Sequence, residues 1–560
     1  MSRVFRSTFV LGAALAVALL PAAPVRAADD RPSQGHRPSE DQIFGGGPAA
    51  PAVDAGAAPA GNSSATPADG GPASALPPAV PPGADAPATP PGEVATERDL
   101  VLLGDPNAGP RLSQETAPED PLKIGGQIYL RALYSRPGTT AINTSADSAM
   151  LTKSLTTSMP SLVDAYFDAR PNDRVRGFVL GRLAFDSTLA SSAPTFPGGT
   201  AVMAAVPLLS GAARTRGPTT LLDQLWLRFD ILHTVFVTAG RQHVKWGTAR
   251  FWTPTDFLHP QARNPIAAFD ARPGFTMVKV HVPWEAQGSN FYAFALVEGV
   301  TQTDPQGRPI TGSDESGTLK QMGGAARAEF VLGPAELGLD TVVYQGRKPK
   351  FGGDLSFGIG DFDLYVDAAL RYGSEIPRRT YDSTAVAPDG LSVNQWVDRQ
   401  YPVEYRAGIK PQISVGGTYS RKYNDNDVFT VTGEYFYNTL GYNDPHVYPG
   451  LFLSSSFPFF YVGRHYAAIA AIAAAPYSWN YTTFTLSTLG NLSDQSFITR
   501  LDYSLVMLTH LRFEAFGSVN YGHREGEFRL GVDKFALPGD VVFSLQPQSF
   551  SLGLGLRISI

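Results

Sequence analysis

Residues 123–560 consist of short segments in which apolar and polar side chains alternate, and the gaps between these segments are short and long in turn. The alternation is clearest in the closing stretch SFSLGLGLRISI, which places Phe, Leu or Ile at every even position from 550 to 560. Successive side chains of a β-strand point to opposite faces, so this stretch has one apolar face and one small or polar face. A period of two therefore predicts β-strands through most of the chain.

The order of the gaps indicates how these strands are arranged. Tight turns follow the even-numbered strands, as at 171–173 and 333–334, and long gaps follow most odd-numbered strands, as at 187–218 and 246–273. Short periplasmic turns and long outer loops are typical of bacterial outer-membrane barrels. We therefore predict an all-β fold, a transmembrane antiparallel β-barrel of about 18 strands (16–18) whose first strand rises from the periplasm. The predicted strands start near Gly125, Leu162, Arg174, Leu221, Thr234, Phe275, Asn290, Gln321, Leu337, Gly352, Phe362, Glu404, Val428, Tyr461, Asn480, Phe497, Leu511 and Phe550.

Charged residues share one face of these strands. In the segment 222–230, Gln224, Arg228 and Asp230 alternate with leucine and phenylalanine side chains. A charge on the lipid face costs about 2–4 kcal/mol at the bilayer centre, so we expect the charged face to line the lumen. A soluble β-sandwich shows the same alternation, but it lacks the regular order of short and long loops. The predicted channel-lining residues are Arg174, Arg176, Arg182, Arg228, Arg241, His243, Lys245, Arg371, Arg500, Arg512 and Glu514.

A lumen with this many charges is expected to hold water. Barrels of about 16–18 strands leave an aqueous channel, whereas about eight strands allow side chains to fill the interior. The inward-facing set is mixed but leans basic, which favours at most a weak preference for anionic or neutral polar solutes. Many of these charges can instead pair across neighbouring strands and stiffen the wall.

The N-terminal part of the chain has a different composition. Residues 1–27 combine Arg3 and Arg6 with an apolar run over 9–20 and end in a small-residue site at Ala27, which is the layout of a cleaved secretory signal peptide. An anchor helix is the alternative, but the run is shorter than the about 20 residues that span a bilayer. Residues 28–122 are rich in Pro, Ala and Gly and are predicted to be a disordered periplasmic leader. The predicted barrel domain then occupies residues 123–560 in the outer membrane of a Gram-negative bacterium.

One stretch is more distinctive than the strands. Residues 240–260 read GRQHVKWGTARFWTPTDFLHP, in which aromatic rings, prolines and charges of both signs follow a strand. This composition favours an ordered loop whose rings anchor against the wall while Arg250, Asp256, Arg263 and Arg272 project into the pore. We therefore predict a constriction loop at 246–273, although a loop that only stabilises the barrel interior remains an alternative. Its candidate residues are Arg250, Trp252, Asp256, Arg263, Asp270 and Arg272.

This stretch also resembles a known family. It is similar in place and role to the inward-folded constriction loop of general porins, and Gly240-Arg241-Gln242 resembles the corresponding strand of the alginate-export type of porin. The resemblance implies a pore that the loop narrows. Outer-membrane barrels commonly end in an aromatic residue that resembles a signal for their assembly machinery, whereas this chain ends in Ile560.

Motifs of other function classes are not found. The sequence has no cysteine, no nucleophile-elbow pattern and no zinc-binding His-Glu-x-x-His helix, so we predict no catalytic residue, no metal site, no cofactor and no enzyme activity. A net charge of −6 does not suggest nucleic-acid binding. We expect a porin-like channel for passive diffusion of small polar solutes; a polysaccharide-export pore and a structural or adhesion barrel are the alternatives. The expected partners are outer-membrane lipid and lipopolysaccharide, the barrel assembly machinery and a periplasmic protein that binds the leader.

Overall fold

The computed structural model describes the residues that follow the leader. The predicted signal peptide, residues 1–27, and the predicted leader, residues 28–122, lie outside the described residues except for 121 and 122. Within the described part of the chain, no helix has the length and hydropathy needed to cross a bilayer. The described ranges are 121–136, 141–144, 157–186, 218–259, 262–267, 270, 272–298, 322–345, 347–374, 377–385, 391, 393–423, 427–454, 456–479, 481–537, 541–545 and 547–560.

Eighteen antiparallel strands pair in chain order and close into a barrel. The first strand pairs with the last from Gln127↔Ser559 to Arg136↔Phe550, which closes the ring. The prediction of a transmembrane-type barrel of about 18 strands is therefore confirmed. The strands are β1 (Leu122–Arg136), β2 (Pro160–Asn172), β3 (Val175–Asp186), β4 (Thr219–Ile231), β5 (Val235–Gln242), β6 (Phe275–Trp284), β7 (Ser289–Leu296), β8 (Gly323–Leu332), β9 (Ala335–Tyr344), β10 (Lys350–Ile359), β11 (Phe362–Tyr372), β12 (Ile409–Lys422), β13 (Val428–Asn438), β14 (His465–Ala474), β15 (Thr482–Asn491), β16 (Ser496–Leu508), β17 (Leu511–Gly522) and β18 (Phe550–Ser559).

Smaller elements lie in the connections between barrel strands. Two helices occur in the long connections after β11 and β13, namely α1 (Val393–Gln400) and α2 (Tyr448–Leu453). Single 3₁₀ turns are found at Glu285–Gln287, Pro445–Val447 and Glu527–Arg529. Short strands outside the barrel ring are Ala141–Thr144, Thr157–Ser158, Arg378–Arg379, Val403–Glu404, Val532–Leu537 and Val541–Leu545.

Two strands begin later than the alternation predicts. The predicted start at Glu404 belongs to a separate ribbon in which Val403–Glu404 pairs with Arg378–Arg379, and β12 begins only at Ile409. Gly408, with φ of 87°, breaks the extended backbone between them. The predicted start at Tyr461 lies in a turn, and β14 begins at His465.

The two faces of the barrel wall differ in the way that a lipid environment requires. On β4, Leu225 and Leu227 are 47% and 49% exposed on the outer surface, whereas Gln224 and Asp230 are 4% and 9% exposed toward the interior. The same division holds on β18, where Leu552 and Leu554 are exposed and the intervening Gly553 lies inward. An apolar outer surface around a polar interior satisfies the backbone hydrogen bonds within the ring and leaves only apolar side chains for lipid.

Candidate functional site

The connection between β5 and β6 folds into the barrel. We call residues 243–274 the inner loop. Its principal anchor is Glu434 on β13, which is separated from β6 by six strands on one side and from β5 by nine on the other. The Glu434 carboxylate accepts hydrogen bonds from three consecutive backbone N–H groups, those of Arg250 (2.8 Å), Phe251 (3.0 Å) and Trp252 (2.8 Å). The inner loop therefore crosses the lumen and is fixed to the wall on the far side.

Two side chains of the barrel wall also bind this carboxylate. The hydroxyls of Ser414 and Tyr365 donate to Glu434 at 2.7 and 3.1 Å. Glu434 is 5% exposed, so its negative charge is balanced locally by five donors rather than by water. This arrangement requires the loop backbone, because no lysine or arginine side chain hydrogen-bonds to Glu434 among the described contacts.

A second carboxylate holds the next turn of the inner loop. Asp367 on β11 accepts hydrogen bonds from the backbone N–H and the hydroxyl of Thr255, at 3.2 and 3.1 Å. Gly247 packs directly against this group, and a Cβ at position 247 would lie 2.0 Å from Asp367 Oδ2. Since Gly247 also has φ of 90°, no other residue fits here without displacing the loop.

Aromatic packing completes the docking. The Trp252 ring stacks on Phe436 with centroids 5.7 Å apart and contacts Tyr466 at 5.3 Å, while its indole N–H donates to the Phe460 carbonyl at 2.9 Å. The wall beneath is apolar on the inner face of β14, with single apolar residues from β13, β15 and β16. The buried residues of this cluster are Phe251, Trp252, Ile266, Phe436, Phe460, Tyr466, Ala468, Ala470, Ile472, Leu489, Ile498 and Phe528.

The charged side chains of the inner loop are bound within it or to the wall. Arg272 forms ion pairs with Asp256 at 2.8 Å and Asp270 at 2.6 Å, and all three side chains are almost fully buried. Burial alone would raise the pKa of Asp270, but the charge and hydrogen bonds of Arg272 outweigh it and lower that pKa below its usual range. Asp256 and Arg272 were expected to project into the pore; they instead pair with each other and connect the middle of the inner loop to the segment near its end.

The other two arginines of the inner loop lie against the wall and the loop backbone. Arg250 binds Asp363 at 3.0 Å and lies over the Tyr365 ring, with its guanidinium 5.7 Å from the ring centroid. Arg263 donates to the Arg250 carbonyl at 3.4 Å. Both side chains remain partly exposed, as does that of Lys245 near the start of the loop.

A buried polar chain supports the base of the inner loop. His243 Nε2 lies 3.0 Å from Asp223, which also pairs with Arg182 at 3.3 Å, and Arg182 binds Asp164 at 2.9 Å. The neighbouring His259 is 7% exposed, and neither of its ring nitrogens has a hydrogen-bond partner. Burial, with the charge of Arg272, lowers the pKa of His259 to about 4, so this ring is neutral at pH 7.

The predicted channel-lining residues are distributed around the ring. Arg182 and His243 meet through Asp223, and Arg500 reaches the inner loop by donating to the Ile266 carbonyl at 3.2 Å. Four of the others bind polar side chains near them: Arg174 pairs with Asp230 (3.2 Å), Arg176 with Asp168 (2.9 Å), Arg241 with Glu298 (3.2 Å), and Glu514 with Tyr129 (2.5 Å) and Arg557. Two lie over aromatic rings, Arg228 over Phe236 (5.3 Å) and Arg371 over Phe257 (5.2 Å). Arg512 lies opposite Arg557 on the neighbouring strand, and Lys245 is half-buried after β5.

Inward-facing charges of both signs occur around the ring, and we name two groups of them. The acidic arc, on β9 to β13, contacts the docked loop, whose backbone N–H groups bind Glu434 and Asp367; Arg327 pairs with Asp340 and Asp354. The basic arc lies on β16 to β18 and β1 to β3, where Asp164, Asp168 and Glu514 pair with its arginines and Arg500 donates to the loop. Members of the acidic arc are Asp340, Asp354, Asp363, Asp367 and Glu434; members of the basic arc are Arg131, Arg176, Arg182, Arg500, Arg512 and Arg557.

The long connections at the same end of the barrel form a cap, which we define as residues 373–408 and 439–464 together with 523–531. α1 and α2 pack in one apolar cluster, which includes Trp396, Tyr401, Tyr448 and Leu530. Beneath it, Glu527 accepts hydrogen bonds from the Phe460 backbone N–H, the Tyr466 hydroxyl (2.7 Å) and the Asn491 amide (3.0 Å), while Asp494 accepts from Tyr448 (3.0 Å) and the Glu527 N–H (2.8 Å).

The stability of the cap should depend on pH through Glu527. Burial, reinforced by the charge of Asp494, raises the pKa of Glu527 from 4.5 to about 8. The folded cap thus binds a proton that the opened cap has released, so cap stability is highest below pH 4.5 and falls as the pH rises toward 8. The upper limit of this loss is about 5 kcal/mol. We expect the apparent melting temperature to fall over this range in the wild type and to fall less in Glu527→Gln; Glu525→Gln, an exposed neighbour, is the control, and equal slopes in all three would contradict the assignment.

Comparisons with known proteins find similar structures only at low sequence identity. No protein-family model and no curated protein matches the chain. Solved structures that resemble it include OprB of Pseudomonas putida (10% identity, TM-score 0.40, covering 78% of this chain and 94% of that one) and OccAB1 of Acinetobacter baumannii (12% identity, TM-score 0.40, covering 80% and 99%). Another is Wzi of Escherichia coli, described as a carbohydrate-binding β-barrel (10% identity, TM-score 0.40, covering 77% and 84%).

The chain is a closed, 18-stranded antiparallel β-barrel of the transmembrane type. Its closed ring of 18 strands, apolar outer surface and charged interior require a lipid bilayer around it. At this level of identity the neighbours share only the barrel architecture, and their solutes and partners say nothing about those of this chain.

Sequence reasoning found the inner loop but missed what holds it. In the sequence, Glu434 and Asp367 are two ordinary anions on the inward face. Alternation predicts the face that a side chain occupies but not the group that it binds. The apolar inner face of β14 left a visible signal, since its sequence HYAAIAAIAA has no charged residue on either face. A barrel strand that is apolar on both faces indicates a wall that another segment covers from inside.

Proposed function

We propose that this protein is a passive channel for small polar solutes and that the inner loop sets its narrowest point. The observation that carries the proposal is the attachment of three consecutive loop N–H groups to Glu434 across the lumen. A segment tied to the far wall reduces the cross-section open to water without closing the ring. The part of the lumen that the inner loop does not fill then forms the path for solutes.

Selectivity in this proposal is weak and favours anionic or neutral polar solutes. The loop backbone covers part of the acidic arc by binding Glu434 and Asp367, whereas from the basic arc Arg500 reaches the loop. Most arginines of the basic arc are already paired with carboxylates, as Arg176 is with Asp168 and Arg182 with Asp164, so the residual positive potential is small. The signal peptide at 1–27 and the periplasmic leader at 28–122 remain part of the proposal as the route of export and as a tether.

Single-channel recording in planar bilayers tests the function. We expect a steady, ohmic conductance from the wild type and a larger conductance from a variant in which residues 248–270 are replaced by a short Gly/Ser linker. A barrel that conducts only after the deletion would favour a closed structural or adhesion barrel. A barrel that conducts in neither form, although folded by heat-modifiable gel mobility, would contradict the proposal.

A polysaccharide-export pore predicts a different result in the same recordings. A polymer path must admit a long chain, so soluble oligosaccharides should block the ionic current in a manner that depends on their length. Small neutral sugars would then pass without measurable block. If block is absent for oligosaccharides of all lengths and charges, passive diffusion of small solutes is the better account.

A further inference from the structure

Charge is divided unevenly between the predicted leader and the barrel. Residues 28–120 contain 14 Asp or Glu residues and only 4 Arg, whereas residues 121–560 contain 37 acidic residues and 38 Lys or Arg. The last 28 positions before the barrel hold half of the leader's acidic residues, namely Glu93, Glu97, Asp99, Asp105, Glu115, Glu119 and Asp120. The chain therefore joins a strongly acidic segment to a barrel whose own charges nearly cancel.

The point of attachment is defined by β1. This strand begins at the end of the barrel where tight turns connect the strands, which we call the short-turn end. The Pro121 carbonyl accepts a hydrogen bond from the Arg170 N–H at 2.7 Å, and Lys123 lies directly opposite Asp168 on β2. β1 also pairs with β18. The acidic segment is therefore attached between β18 and β2, in the middle of the basic arc.

Charges at the short-turn end divide into two sectors. The first comprises the seven residues on each side of the β16–β17, β2–β3 and β4–β5 turns, with the last seven of the chain and the first seven of β1. It contains 4 side-chain carboxylates and 7 cations, which we call the basic mouth: Lys123, Arg170, Arg174, Arg176, Arg228, Arg512 and Arg557. The same windows around the β8–β9 and β10–β11 turns contain only Arg327 against seven carboxylates: Glu329, Glu336, Asp340, Asp354, Asp361, Asp363 and Asp367.

Carboxylates within the basic mouth are shared among its cations. Asp168 binds both Arg176 at 2.9 Å and Arg170 at 3.1 Å. Arg174 binds Asp230 at 3.2 Å, and its side chain remains 50% exposed. A carboxylate held between two guanidinium groups neutralises only one of them, so positive charge remains at this rim beside the attachment point.

The neighbouring strands show the same surplus. Arg512 on β17 and Arg557 on β18 are directly opposite each other, and the adjacent carboxylate, Glu514, pairs with Arg557. Like charges in directly opposite positions of a sheet are destabilising. An anionic group close to both would relieve this repulsion, because each guanidinium has several N–H donors.

We propose that residues 93–120 of the leader bind the basic mouth of their own chain. The tether makes this contact intramolecular, so that exposed ion pairs which are individually weak act at a high effective concentration. The segment reaches the whole sector, since the 13 residues from 108 to 121 can span about 45 Å when extended. The acidic sector on β8 to β11 repels the same segment. The contact depends on charge and attachment, and not on whether the lumen conducts.

Distance measurement by double electron–electron resonance tests the contact in the full-length folded protein in detergent. The chain has no cysteine, so two introduced cysteines take spin labels at defined positions. One pair is Ala108→Cys with Thr509→Cys, in the β16–β17 turn; the other is Ala108→Cys with Pro334→Cys, in the β8–β9 turn. At low salt we expect a narrow distribution with the shorter distance to position 509. At about 1 M KCl, where the Debye length falls to about 3 Å, the distribution should become at least about twice as wide.

Neutralising the acidic residues of 93–120 should widen the distribution at low salt as high salt does in the wild type. The test variant is Glu93→Gln/Glu97→Gln/Asp99→Asn/Asp105→Asn/Glu115→Gln/Glu119→Gln/Asp120→Asn. Its matched control removes the same number of charges farther from the barrel and should keep the narrow distribution: Asp29→Asn/Asp30→Asn/Glu40→Gln/Asp41→Asn/Asp54→Asn/Asp69→Asn/Asp85→Asn.

The wall side of the contact has its own pair of variants. Lys123→Gln/Arg174→Gln removes two exposed cations of the basic mouth and should widen the distribution, whereas Arg421→Gln/Lys422→Gln, at the short-turn end of β12, should not. A broad distribution in the wild type at low salt, or equal effects of a test variant and its control, would overturn the proposal. A dipolar signal in a mixture of two singly labelled proteins would assign the contact to a second copy and overturn it as an intramolecular one. Because the readout is a distance and not a current, each of these failures leaves the proposed function of the inner loop untouched.

Discussion

Replacing Glu434 by alanine is expected to raise the single-channel conductance by at least about twofold, because current through a wet pore follows its narrowest cross-section. The substitution leaves the N–H groups of Arg250, Phe251 and Trp252 buried without an acceptor. Each unsatisfied buried donor costs about 1–3 kcal/mol, so the total exceeds what aromatic packing of a short segment can offset. The inner loop should leave the far wall, and open-channel noise should rise with the mean current.

The control for this experiment is Ser414→Ala, which removes one of the five hydrogen bonds to the same carboxylate and none from the loop. It should conduct like the wild type. Glu434→Gln should fall between the two, because an amide offers one acceptor oxygen in place of two. If Glu434→Ala folds and conducts as the wild type does, the inner loop does not set the narrowest point.

Charge reversal of Arg241 and Lys245 together is expected to shift the selectivity toward cations. Arg241 pairs with Glu298 at 3.2 Å, so Arg241→Glu leaves two carboxylates side by side at the base of the inner loop. Lys245→Glu adds a third negative charge nearby. In a tenfold KCl gradient, where an ideally selective pore reaches about 59 mV, we expect the reversal potential to move by about 10 mV or more toward the potassium limit.

The double variant Arg241→Lys/Lys245→Arg keeps both charges and serves as the control. Its reversal potential should match that of the wild type. The shift in the charge-reversed variant should also shrink at high salt, because the Debye length falls from about 10 Å at 0.1 M to about 3 Å at 1 M. A reversal potential that does not move at low salt would remove both residues from the lumen.

The alternation within each strand was sufficient to predict the barrel, because the face that each side chain occupies follows from its own position in the strand. In β18 every second side chain is apolar, and a shift of one residue would place Arg557 in lipid, so the register follows from the sequence alone. The predicted starts of β6, β11, β13, β17 and β18 agree with the structure to the residue. The start of β12 was misplaced because the ribbon at Val403–Glu404 is also extended, and alternation cannot tell a rim ribbon from a barrel strand.

The contacts of the inner loop could not be predicted from the local sequence pattern. Its aromatic and charged composition indicated order, and its position between β5 and β6 indicated an inward fold. The sequence of residues 246–273 does not identify Glu434 as the binding partner, because Glu434 lies more than 150 residues away in the chain. The opposite expectation for Arg272 has the same origin: a charged side chain in a pore loop suggests exposure, but Asp256 and Asp270 bury it.

By itself, then, the sequence determined the strand period, the closed ring with its charged interior, and the segment that would enter it. Those properties depend on the free energy of each side chain in lipid or water, which is a property of single positions. Only the tertiary structure decided that the inner loop crosses to β13, that its backbone binds Glu434, and that its own ion pairs are buried within the loop. These contacts join residues far apart in the chain, and they form because a buried N–H group and a buried carboxylate must each find a partner once the ring has closed.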